Sequence, residues 1–131
     1  MKYKISIKIL LALLISVILF HMSVIAKVVP YDIAWGGRLT NDTEMYIFET
    51  LSILINLFLA TILLMKGDFI KYKFSNKVVN LILWIFFVIF ILNTIGNIFA
   101  QTFFEKFFAI LTGFSAILIW NITVKKKTTN R

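Results

Sequence analysis

Four apolar stretches, each close to the length needed to cross a bilayer, constrain this chain more than any other feature. They are ILLALLISVILFHMSVIA (9–26), IFETLSILINLFLATILLM (47–65), VVNLILWIFFVIFILNTIGNIFA (78–100) and FFAILTGFSAILIWNITV (107–124). A hydrocarbon layer of about 30 Å takes roughly 20 apolar residues at about 1.5 Å per residue of helix. Inside it the backbone must satisfy its own hydrogen bonds, which leaves helices or a closed barrel. The polar residues do not alternate with period two, so strands are a poor alternative to helices. Mean hydropathy is +0.93, and one Pro and five Gly leave most of the length free to be continuous helix. The expected fold is all-α: one domain of 131 residues, an integral membrane four-helix bundle with antiparallel, up-down topology.

Charge sets the expected orientation. Lys2, Lys4 and Lys8 precede the first span; Lys66, Lys71, Lys73 and Lys77 lie between the second and third; Lys125, Lys126, Lys127 and Arg131 follow the fourth. These make eleven of the 14 basic residues, against Lys27, Arg38 and Lys106 on the other side. The positive-inside rule then places both termini and the 66–77 loop in the cytoplasm and the 27–46 loop outside, in an inner or plasma membrane. The basic flanks suit anionic lipid, and runs this short and this close to the spans argue against nucleic acid. The N-terminal MKYKISIK followed by an apolar run also resembles a signal peptide, with VIA before Lys27 as a cleavage site; the run is longer than a usual signal core, and an intact Met1 would exclude cleavage. Heavy use of Ile, Phe, Lys and Asn suggests AT-rich, bacterial coding.

The acids are unevenly placed. Of six, Asp32, Asp42, Glu44 and Glu49 fall within YDIAWGGRLTNDTEMYIFE, residues 31–49. Asn41 and Glu44 have the spacing of a capping box for the second helix. WGGR (35–38) reads as a turn with Trp35 at the interface and Arg38 in reach of a carboxylate. Glu49 lies further in. Leu51 to Met65 spans only about 22 Å of helix, so Glu49 must sit at the edge of the apolar layer, where a carboxylate needs a partner. Arg38, Asn97 and His21 are the partners to expect. At comparable height lie Asn93, Asn97 and Gln101 on the third helix and Glu105 at the start of the fourth. Ser52 and Asn56 share the face of Glu49, while Glu105, Ala109, Thr112 and Ala116 make a small, polar stripe. On the first helix Ala12, Ser16 and Ser23 share one face and His21 points roughly opposite, so one set must turn away from the centre. The expected picture is a dry, aromatic cytoplasmic half and a polar outer half roofed by the 31–49 segment.

The absence of cysteine removes disulfides, thiol nucleophiles and thiolate metal sites, and a single histidine leaves no multi-His zinc site. The candidate ligand-binding residues are Glu49, His21, Asn93, Asn97, Arg38, Asn56, Trp35 and Asp32, with no catalytic residue, metal ligand or cofactor assigned. The leading expectation is a non-enzymatic membrane protein binding a small amphiphile or a membrane protein partner through an outward-facing polar pocket. One alternative is a small proton-coupled transporter using Glu49. Against it, the carboxylate lies in the second span rather than the first, and the charge bias fixes one orientation. Another is a lipid-modifying enzyme using Glu49 and His21 as acid and base, which requires the two within hydrogen-bond or one-water reach.

Through PYDIAWGGRL, EMYIFE, LNTIGNIFA and FEKFFA the chain resembles a family of small bacterial four-span membrane proteins. The shared pattern is a His near the end of span 1, an aromatic–Asp–x–x–Trp–Gly–Gly–Arg outer loop and an Asn–Thr–x–Gly–Asn third span. Here those are His21, Tyr31 to Arg38, and Asn93 to Asn97. The resemblance implies fold and membrane location and carries no activity. In architecture alone the chain is similar to the EXPERA, or sterol-isomerase and sigma-2-receptor, type. No motif of that type is matched, and no catalytic residue is carried over.

Overall fold

A computed structural model of the chain describes residues 3–30, 39–99 and 103–124. It contains four α-helices, α1 (Tyr3–Ile25), α2 (Asp42–Lys66), α3 (Asn76–Ile98) and α4 (Phe103–Val124), and no strand among the described residues. Each helix contains a segment long and apolar enough to cross a membrane. All four begin before the apolar stretches from which they were expected, while α1 and α3 stop slightly short of the expected ends. The start of α2 moves out from 47 to Asp42, because the Asn41 side chain accepts the Glu44 amide at 2.8 Å and caps the helix there. Glu44 folds back to accept the Thr40 amide and hydroxyl, both at 2.9 Å. This is the capping box with its return bond one residue early.

Pairs of touching residues fix the topology. Ser6 meets Asn121 and Phe20 meets Phe108. His21 meets Glu49, Lys66 meets Asn80, Phe58 meets Phe86, Trp84 meets Trp120 and Thr94 meets Thr112. In every pair of helices joined twice, a higher number on one goes with a lower number on the other. Adjacent helices are therefore antiparallel, and α1 closes against α4. Packing is most extensive between α3 and α4, then between α1 and α2, and thinnest between α2 and α3.

Both α1 and α2 end in a hydrogen-bond pattern that requires a left-handed residue. After α1, the amides of Lys27 and Val28 return to the carbonyls of Val24 and Ser23, and Lys27 has φ 62°. After α2, those of Asp68 and Phe69 return to Met65 and Leu64, and Asp68 has φ 61°. Gly67 stands one position too early to take that conformation. Space is what it provides: a Cβ there would strike the Phe69 ring and press on Ile7.

The core is unequal along the bundle. One cluster, including Ile7, Leu10, Leu63, Leu83, Ile119 and Ile122, fills the half nearest the 67–75 connector. The opposite end holds only Val24, Leu39 and Met45 as a small second cluster. On α3 the consequence is direct: Val79, Leu83 and Phe86 are buried, whereas nothing beyond Phe86 on that helix is.

Candidate functional site

Two polar groups of the thin end meet between α1 and α2. Glu49 is completely buried, and its Oε1 lies 2.5 Å from Nδ1 of His21. An imidazole nitrogen and a carboxylate oxygen at this distance are hydrogen-bonded, the ring donating and the carboxylate accepting. The face conflict on α1 is thus resolved in favour of His21. Ser16 and Ser23 instead bond back to the carbonyls of Ala12 and Leu19 on their own helix. Phe20 stands beside the pair, edge-on to His21 at 5.6 Å and to Phe108 of α4 at 5.2 Å. These contacts fix the imidazole against α4 as well as α2.

His21 keeps 14% of its side chain exposed, and among the described residues its Nε2 has no hydrogen-bond partner. One ring nitrogen is committed inward and the other borders the surroundings. The arrangement can present a polar atom of defined direction at the edge of an apolar wall.

The other expected residues separate. Asn56 is half-buried, but its amide donates to the Ser52 carbonyl at 2.7 Å, one turn back on α2. It does not bridge helices in the way expected of a polar residue in a transmembrane bundle, because its own helix offers an acceptor within reach. Asn97 is half-buried and Asn93 exposed, and neither hydrogen-bonds to another described residue. Asp32, Trp35 and Arg38 lie outside the described residues, as does Gln101.

Glu105 belongs beside the candidates. It is 3% exposed and begins the buried side of α4, one turn outward from Ala109. The signal was present in the sequence as the first member of the small, polar stripe. That stripe packs inward: Ala109 and Ala116 are buried, and Thr112 shares a 2.8 Å hydrogen bond with Thr94 of α3. The end of the bundle bearing the 67–75 connector holds a second polar layer that the picture of a uniformly dry half did not contain. Lys66 is 5% exposed and donates to Asn80 at 2.7 Å, and Asn121 donates to the buried Ser6 at 2.6 Å. Lys66 is therefore an interior cation rather than a solvated loop lysine.

Every buried side-chain nitrogen or oxygen among the described residues has a partner. No group of three metal-ligating side chains gathers among them. A separate open groove of about 390 Å³ runs between α3 and α4, lined by Phe87, Ile91, Gly113, Ala116, Ile117 and Trp120, without a polar group. No family model matches the chain, and no curated protein or solved structure is similar enough to match it. The site stands on its geometry alone.

Proposed function

We propose that this is a multi-pass protein of a bacterial inner or plasma membrane, with both termini in the cytoplasm, that binds a small amphiphile at its outer end through His21 and Glu49. The observation that carries this reading is the 2.5 Å contact between a fully buried carboxylate and a partly exposed imidazole. Glu49 fixes the orientation of His21, and Nε2 offers one hydrogen bond to a head group whose tail lies along the exposed apolar helix surface. A polar atom set in an apolar wall is the usual composition of a site that orients an amphiphilic ligand. The orientation rests on the basic flanks and the 66–77 loop, of which Lys71, Lys73 and Lys77 are exposed.

Native mass spectrometry of protein released from membranes tests the binding. A co-purified lipid-sized adduct is expected, and it should disappear in His21→Ala and weaken in Glu49→Leu. Equal adduct on both variants would count against the site. Orientation is tested separately, since a chain without cysteine accepts single reporters. An impermeant thiol reagent should label Ala26→Cys in intact cells and Tyr72→Cys only after permeabilisation.

The same contact favours a second reading over transport. Acid–base work on a lipid requires the two groups within hydrogen-bond reach, and they are. A His21- and Glu49-dependent change in the mass of a bound lipid, rather than its retention, would replace binding with catalysis.

A further inference from the structure

Asn93 and Asn97 sit one turn apart on α3, with Asn93 about 8 Å inside the end of the helix by its rise per residue. Asn93 is exposed, and neither amide has a hydrogen bond within the described residues. The face they share continues through Ile85 and Ile89, which are 50% and 38% exposed, and through Gly96, where a Cβ would meet nothing within 4 Å. These positions form a row with four-residue spacing, with Gly96 three residues beyond Asn93, and such a row can interdigitate with its counterpart on another helix. An amide facing hydrocarbon is unsatisfied, and Asn is too short to reach the headgroups from this depth. In membranes such side chains hydrogen-bond across helices, and small residues beside them let the backbones approach.

We propose that this face of α3 packs against α3 of a second copy of the chain across a two-fold axis. The amide chemistry selects the occupant. Asn carries both a donor and an acceptor, so it can pair with itself, which a carboxylate or ammonium cannot do without a partner of opposite sign. The inference rests on the single orientation proposed above. Copies inserted in one direction relate by an axis along the membrane normal, so equal positions meet at equal depth. Asn93 then faces Asn93 of the second copy, Asn97 faces Asn97, and the two Gly96 positions allow the close approach.

The test uses Gly96→Cys as the single thiol, treated with a short thiol cross-linker in native membranes. A covalent dimer is expected, and Ile117→Cys on α4 should give none. Adding Asn93→Leu together with Asn97→Leu should lower the dimer yield roughly 5- to 30-fold, the ratio for a loss of one or two kcal/mol of interhelical hydrogen bonding. Asn93→Gln, which keeps donor and acceptor, should restore most of it. Leucine is at home in a membrane helix, so the double variant will still insert, and its helical circular dichroism serves as the check. The proposal is overturned by no cross-link at position 96, by an equal one at 117, by a yield indifferent to the leucines, or by cross-linking to a different protein. The labelling of Ala26→Cys and Tyr72→Cys reads the orientation separately from the dimer.

Discussion

Lys66 and Asn80 meet at 2.7 Å inside the end of the bundle opposite His21 and Glu49. An ammonium that is 5% exposed depends on such neighbours, because burying a charge without hydrogen bonds costs more than the contact returns. Replacing Asn80 with Leu removes the acceptor and keeps the charge. We expect a loss of about 1.5–3 kcal/mol, typical of hydrogen bonds to charged groups. Lys66→Met removes the charge and preserves the stem, and should cost less. Thermal unfolding in detergent ranks the two, and the reverse order would contradict an interior ammonium.

Glu49→Leu should destabilise by about 1–3 kcal/mol, since the buried side of His21 then faces hydrocarbon. Glu49→Gln retains an oxygen that can accept from Nδ1 and should lose less. A double-mutant cycle of Glu49→Leu with His21→Ala checks that the two residues act together: additive losses would separate them.

Lys27 holds a left-handed conformation at φ 62°, where glycine is unstrained. Lys27→Gly should raise the melting temperature, by relief of about 1–2 kcal/mol of steric cost offset partly by backbone entropy. The ion pair it gives up, with Asp42, is half-exposed on both sides and contributes little. A lowered melting temperature would show that the pair outweighs the strain.

Asn41→Ala removes the cap of α2 and should cost about 1 kcal/mol. Hydrogen exchange at the Glu44 amide, which Asn41 accepts at 2.8 Å, should accelerate while amides in the middle of α2 stay protected. Uniform acceleration along α2 would point to global destabilisation instead.

Leu83 and Ile119 are fully buried in the larger core cluster. Either one changed to Ala should cost about 2–5 kcal/mol. Leu92→Ala, at a residue of α3 that is 62% exposed, should change stability far less. Chemical unfolding in mixed micelles compares the three.

The sequence made the four helices legible because bilayer thickness and backbone hydrogen bonding leave few other solutions for such stretches. The Asn41 cap was legible for the same local reason. His21 and Glu49 were both visible as polar groups of similar depth, yet their meeting depended on the rotation of α1, where a serine face and the histidine competed. Lys66 was misread from its neighbours: four lysines near one connector look alike until packing places the first of them inside. Asn56 shares the face of Glu49, yet its amide turns to the Ser52 carbonyl of its own helix, a local choice that depth in the span does not reveal. Asn93 depended on how far α2 and α3 stay together, which no single helix pattern contains.

The uneven contacts among the helices imply a natural seam for dividing the molecule. α1 with α2 and α3 with α4 form the two most extensive pairs, and the joint between α2 and α3 is the weakest of the ring. A break in the 67–75 connector would leave two hairpins, each still carrying its own tightest pairing. Produced as separate polypeptides in one membrane, they should find each other through Ser6 with Asn121 and Phe20 with Phe108, and rebuild the bundle without a covalent link.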